Sequence, residues 1–253
     1  MFRIWFFSAL FLLGACYAVR ADEAPPELPL CPGAWEIAAS KPLLRQALKA
    51  AYPGVRERPR KLHRRGAPCH YPYQTLSFDK FVVLITLGGV PNEACHGCSA
   101  KISADFLNFE NGKLKPMDRH DTFTEAGTWG SPSGVKPLRL GSESGLVVEA
   151  GGTFQGYSYG YVSLFLIRNG RMMPIGPEGG ISLSSDNCGA GDGPCRSIGG
   201  HWHVDGRRFI VRYVGAWDDG TRVNGSVVYE LREDSLVLTS GHGLAREMEE
   251  SGP

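Results

Sequence analysis

Asp105-Phe106-Leu107-Asn108-Phe109-Glu110-Asn111-Gly112-Lys113-Leu114-Lys115-Pro116-Met117 is the stretch on which the fold turns. Asn-Gly best fills a type I′ turn, because both central residues need positive φ. The flanks therefore read as two antiparallel strands joined by a tight hairpin. The arrangement returns at Tyr161 to Arg168, Asn169-Gly170 and Arg171 to Ile175. Trp202 to Val204, Asp205-Gly206 and Arg207 to Tyr213 predict a third hairpin. Val211 to Ala216, Asp218-Asp219-Gly220 and Val223 to Leu231 continue it, and Leu236 to Thr239 closes the series. Upstream, Phe81 to Leu87 (FVVLITL) is unbroken apolar sequence, the mark of a strand buried on both faces. Short strands at this spacing predict a mainly β chain, an antiparallel meander forming a sandwich or barrel-like domain. The first two hairpins resemble each other, but two copies do not make a repeat array.

Towards the N-terminus, Ser40-Lys41-Pro42 starts a helix, with Ser40 placed to cap and Pro42 in the first turn. Leu43, Leu44, Ala47, Leu48 and Ala51 share a face, and Tyr52-Pro53-Gly54 ends this one N-terminal helix. A basic run follows: Arg56, Arg58, Arg60, Lys61, Arg64 and Arg65. It reads as a solvated connection, or alternatively as a binder of phosphates or acidic partners. The chain opens with Arg3, an apolar run from Ile4 to Leu13 and small residues before Asp22, the order of a secretory signal peptide. The apolar run is short of the roughly 20 residues that span a bilayer. Cleavage after Ala21 is one expectation. Leu13-Gly14-Ala15-Cys16 also resembles a lipobox, and membrane attachment would follow only if Cys16 carries lipid. The expected organisation is a signal peptide over 1–21, a leader, helix and basic linker over 22–72, a β-rich domain over 73–240 and a flexible tail over 241–253.

A net charge of +1 provides no global field to draw in nucleic acid. Setting Cys16 aside leaves Cys31, Cys69, Cys95, Cys98, Cys188 and Cys195. An even set in an exported chain predicts disulfides. Proximity along the chain pairs them as Cys31–Cys69, Cys95–Cys98 and Cys188–Cys195.

Four motifs carry candidate chemistry. Cys95-His96-Gly97-Cys98 has the spacing of a redox dithiol, but no βαβ pattern surrounds it, and a structural disulfide is the plainer reading. His201 and His203, two apart on a strand, would point to one face and are candidate metal ligands or simple surface histidines flanking a core tryptophan. Gly156-Tyr157-Ser158-Tyr159-Gly160 matches the G-x-S-x-G elbow of hydrolases, which needs a strand-turn-helix setting. Asp186, Asn187 and Asp192 lack the spacing of a calcium loop. Trp129, Tyr157 and Tyr159 are candidate residues of an aromatic recognition patch. No cofactor is implied.

Cys95-His96-Gly97-Cys98, the Gly127-Thr128-Trp129-Gly130 turn and the Cys188 to Cys195 loop together resemble exported bacterial proteins in general. The resemblance implies a bacterial envelope setting and carries no activity or site. The leading expectation is a periplasmic or secreted binding protein that holds or blocks a protein partner, as inhibitors and secretion-system immunity proteins do. A CxxC oxidoreductase, a G-x-S-x-G hydrolase and a metal-binding periplasmic protein stand as alternatives.

Overall fold

The computed structural model describes residues 29–55, 67–90 and 94–251. The signal segment with Cys16 and the basic run 56–65 lie outside the described residues. Strand β2 (Phe81–Gly89) is the unbroken apolar run, and both of its faces are covered. Val83, Ile85 and Leu87 face one hydrophobic cluster, while Val82 and Leu84 face another. Period-two alternation divides one strand between two cores in this way.

β2 lies in a four-stranded antiparallel sheet in the order β1 (Cys69–Ser77), β2, β3 (Ala100–Glu110), β4 (Lys113–Ala126). Helices α1 (Ala34–Ala38) and α2 (Pro42–Ala51) cover its outer face. Trp35, Leu44 and Leu48 pack there on Val82, Leu84 and Leu107. α1 was not anticipated, and its five residues hold to the sheet mainly through Ala34, Trp35 and Ala38. The helix cap differs too. Lys41, not Ser40, stands at the N-cap of α2 without a side-chain bond, and Pro42 opens the helix as expected.

The other face of this sheet packs on a larger antiparallel sheet. Its path runs β13 (Ser235–Ser240), β12 (Arg222–Arg232), β11 (Arg208–Ala216), β10 (Ser197–Asp205), β9 (Ile181–Asp186), β7 (Tyr157–Arg168), β6 (Glu143–Phe154), β5 (Gly134–Leu140), with β8 (Arg171–Pro174) also on β7. β6 repeats the logic of β2: Leu146, Val148 and Ala150 face the first sheet, and Val147 faces inward. The larger sheet curls, so the Gly141 amide after β5 reaches the Gly206 carbonyl after β10 at 2.7 Å. Phe209, Val211, Tyr213, Leu164 and Leu166 fill the inside of the curl. Gly200 pairs with Tyr213 across β10 and β11, and a side chain at Gly200 would collide with that ring. The whole is a mainly β, antiparallel, sandwich-like domain.

Asn111-Gly112 and Asn169-Gly170 take positive φ at both positions, as the hairpin reading requires. The third turn is displaced by one residue. Asp205 pairs with Arg208, so Gly206-Arg207 makes the turn, with Gly206 at φ 60°. A glycine at the first central position suits type II′. The stretch 241–253, expected as a flexible tail, instead contains helix α3 (His242–Glu250). Its Met248 is buried in the inner core, and Arg196 Nη2 and Ser185 Oγ both donate to the Ser251 carbonyl. A single buried anchor on a polar, nine-residue helix leaves little hydrophobic signal to read.

Candidate binding surface

The three pairings Cys31–Cys69, Cys95–Cys98 and Cys188–Cys195 are present. The first ties the segment before α1 to β1. The other two support a cluster of exposed aromatic rings. Trp129 is 60% exposed, Phe154 61% and Tyr157 49%. The His96 ring stacks on Trp129 at 5.3 Å and lies 5.9 Å from Phe154. Single exposed apolar residues are ordinary on a protein surface; a contiguous aromatic group is not.

Local structure explains why these rings stand out. Phe154 and Tyr157 are the last cross-strand pair of β6 and β7, flanking Gln155-Gly156 in a turn with positive φ at both residues. Gly156 lies so close to the Gly189 backbone that no side chain fits, which seats the hairpin tip against the Cys188–Cys195 loop. Trp129 occupies a tight turn between Thr128 and Ser131 with φ 53°. A bulky residue in the left-handed region is strained and persists where its surroundings hold it. The holding contacts are here: Trp129 N–H donates to His96 O at 3.4 Å and Gly130 N–H to Cys98 O at 2.8 Å. The four-residue Cys95–Cys98 loop is thus the buttress of the indole.

Tyr159, expected in the same patch, adjoins Phe154 and Tyr157 in a shared pocket of about 270 Å³. Its ring is parallel to Tyr161 at 6.4 Å, and it lines an open cleft of about 820 Å³ between β5–β6 and β9–β10. Burial raises the Tyr161 hydroxyl above its ordinary pKa. Glu149 is the focus of the cleft, because Lys136 Nζ and Trp202 Nε1 both reach its Oε1 at 2.7 Å. Lys136 also stands 5.6 Å over the indole of Trp202. Ser133, Thr153, Ser158, Ser184 and His201 add to its polar lining.

Ser158 sits on strand β7 with its Oγ 2.7 Å from Thr153 Oγ1. Strand, not helix, follows the motif, so the strained elbow is missing. Cys95-His96-Gly97-Cys98 is a closed disulfide followed by β3, without the helix that acidifies a thioredoxin-type thiol. His201 and His203 are exposed on one face of β10, on either side of the half-buried Trp202. Among the described residues no group of three or more His, Cys, Asp or Glu side chains could hold a metal ion. Asp186 and Asn187 serve their own loop, accepting from Cys188 N–H at 3.0 Å and Arg196 N–H at 2.7 Å.

Sequence reasoning missed His96 and Phe154 as members of the aromatic group. Phe154-Gln155-Gly156-Tyr157, two aromatics flanking a turn pair, was the available signal. It also missed a buried polar cluster beneath α2. Arg119 donates to Asp105 at 2.7 Å, to Asp121 at 2.6 Å and to the Tyr52 hydroxyl at 2.7 Å. Tyr52 in turn lies 2.9 Å from His70 Nδ1. Burial pushes the Tyr52 hydroxyl up to about 12. Burial also opposes the Arg119 charge, but Asp105 and its other partners outweigh it and hold the guanidinium protonated.

No protein-family model, curated protein or solved structure matches the chain. No helix among the described residues is long and apolar enough to cross a membrane.

Proposed function

We propose that this chain is an exported, disulfide-stabilised binding protein of the bacterial envelope that holds another polypeptide through the ring cluster of His96, Trp129, Phe154 and Tyr157. The observation that carries the reading is the exposure of Trp129, Phe154 and Tyr157 on turns clamped by Cys95–Cys98 and by the Cys188–Cys195 loop. Rigid aromatic side chains lose little conformational entropy on binding and are enriched among the residues that dominate interfaces. Three disulfides suit an oxidising compartment, and a periplasmic or secreted location is part of the proposal. Inhibition of a secreted enzyme, or immunity to one, is the activity such a surface would perform.

The test is capture of a stoichiometric partner from the native host, followed by affinity measurement with Trp129→Ala and Phe154→Ala. Interface anchors of this kind contribute about 2 kcal/mol or more each, so each variant should weaken binding at least tenfold. A partner whose affinity ignores both substitutions, or a protein recovered alone from native extracts, would overturn the reading.

A further inference from the structure

The curl of the larger sheet is left open between β10 and β5. Asp205 and Arg208 are the last pair of the β10–β11 hairpin, so odd-numbered residues of β10 direct their main-chain groups to β11. Those of Trp202 and Val204 point the other way. β9 covers that second edge only from Ser197 to Gly199. Further along, the Gly206 carbonyl accepts from Gly141. Between these points, no main-chain bond on that edge reaches Trp202 or Val204 from the described residues.

The facing edge, β5, is poorly equipped to close the gap. Pro137 has no N–H, and the Val135 carbonyl already accepts from Gln74 Nε2 at 2.5 Å. Beneath the gap, Lys136, Glu149 and Trp202 form a strap from β5 through β6 to β10. At the open end, a side chain built on Gly199 would meet nothing within 4 Å. The cleft of about 820 Å³ lies here. The 127–133 turn and the β6–β7 hairpin, which present Trp129, Phe154 and Tyr157, also contribute Ser133, Thr153 and Ser158 to its lining.

Building on the binding-protein reading, we propose that the partner inserts an extended segment into this gap, adding a strand to the open edge of β10. Its main chain bonds to Trp202 and Val204, completing a ladder that β9 leaves short. Free N–H and C=O groups at strand spacing are met by another strand, and this is the β-augmentation mode of peptide recognition. The floor sets the side-chain chemistry. Lys136 and Glu149 neutralise each other, so the segment's inward residues are uncharged.

The experiment pans a phage-displayed library of seven-residue peptides on the oxidised protein, then follows amide exchange by NMR with a selected peptide. Exchange at the Trp202 and Val204 amides should slow at least tenfold in the complex. Val204→Pro removes a donor that no described strand uses. It also trims the Val204 packing on the inner core, so the variant should melt lower but stay folded by circular dichroism, and should bind the peptide at least tenfold more weakly. Val204→Ala, which keeps the donor, should bind it nearly as the parent does. A bound peptide that leaves both amides unprotected overturns the strand proposal. If that peptide still depends on Trp129, the aromatic surface stands without it. A library that yields no binder, or a cleft that takes chitotetraose and no peptide, also overturns it; the partner-capture experiment then judges the aromatic surface separately.

Discussion

Arg119 shows how single residues hold the first sheet to its helices. It reaches Asp105 and Asp121 on the sheet and Tyr52 at the end of α2. Asp105 is almost fully buried. Removing one partner of a buried ion pair leaves a charge without compensation, at a cost of about 3 kcal/mol or more. Arg119→Met should therefore lower the urea midpoint sharply, and Asp105→Asn in the same chain should restore part of the loss. A midpoint unchanged by Arg119→Met would show that Asp105 does not depend on this pairing. His70 makes a second prediction. It is 1% exposed, and burial, then the Arg119 charge, lower its pKa from 6.5 to about 4, against a weaker pull from Asp121. The unfolded chain takes up a proton near pH 6.5, the folded chain only near pH 4. Within that window the unfolded state holds more protons, so stability falls as pH falls. The loss is on the order of 3 kcal/mol across the window. Thermal melts from pH 7 to pH 4 should show it, and His70→Gln should flatten the profile there.

Among the elements, the disulfides differ in what they constrain. Cys31–Cys69 spans a separation of 38 residues, while Cys95–Cys98 spans 3. Chain-entropy reasoning assigns about 4 kcal/mol to the long closure and about 2 kcal/mol to the short one. Replacing Cys31 and Cys69 by alanine should therefore produce the larger drop in unfolding free energy, read by urea titration. Replacing Cys95 and Cys98 should instead act mainly on the Trp129 turn, visible as increased indole mobility in fluorescence anisotropy. The reverse ranking would mean that the helices are held by packing alone. The elements also divide by how far the sequence revealed them. β2 was legible because unbroken apolar sequence has few other homes, and the Asn-Gly hairpins because φ > 0 at two successive positions selects those residues. α3 was not, since its one buried anchor is Met248. The aromatic surface was half legible. Trp129 and Tyr157 stood out by type, but their union with His96 and Phe154 arises from the approach of three segments distant in sequence. The polar cluster is of the same kind, since Tyr52, His70, Asp105 and Arg119 come from four separate elements.

For the whole molecule, three cores in series order the stability. Helices cover the first sheet, the sheets pack face to face, and the larger sheet closes around the third core. β2 and β6 each contribute to two of these cores, so neither can open without disrupting both. β13 is different: among the described strands it pairs with β12 alone, one further main-chain bond running from Leu236 N–H to the Ile175 carbonyl, and none of its residues is fully buried. Amide exchange of the native state reports this ordering directly, because local openings expose edges at lower free energy than the global transition. The amides of Val83 to Ile85 and of Leu146 to Val148 should exchange only through global unfolding, with opening free energies equal to the value from urea. Those of Val237 to Thr239 should exchange several kcal/mol more easily, by fraying of the edge. Equal protection in β13 and β2 would mean that the larger sheet unfolds as one unit with the first. Faster exchange in β2 than in β13 would contradict a sheet buried on both faces, and with it the layered arrangement on which the binding surface rests.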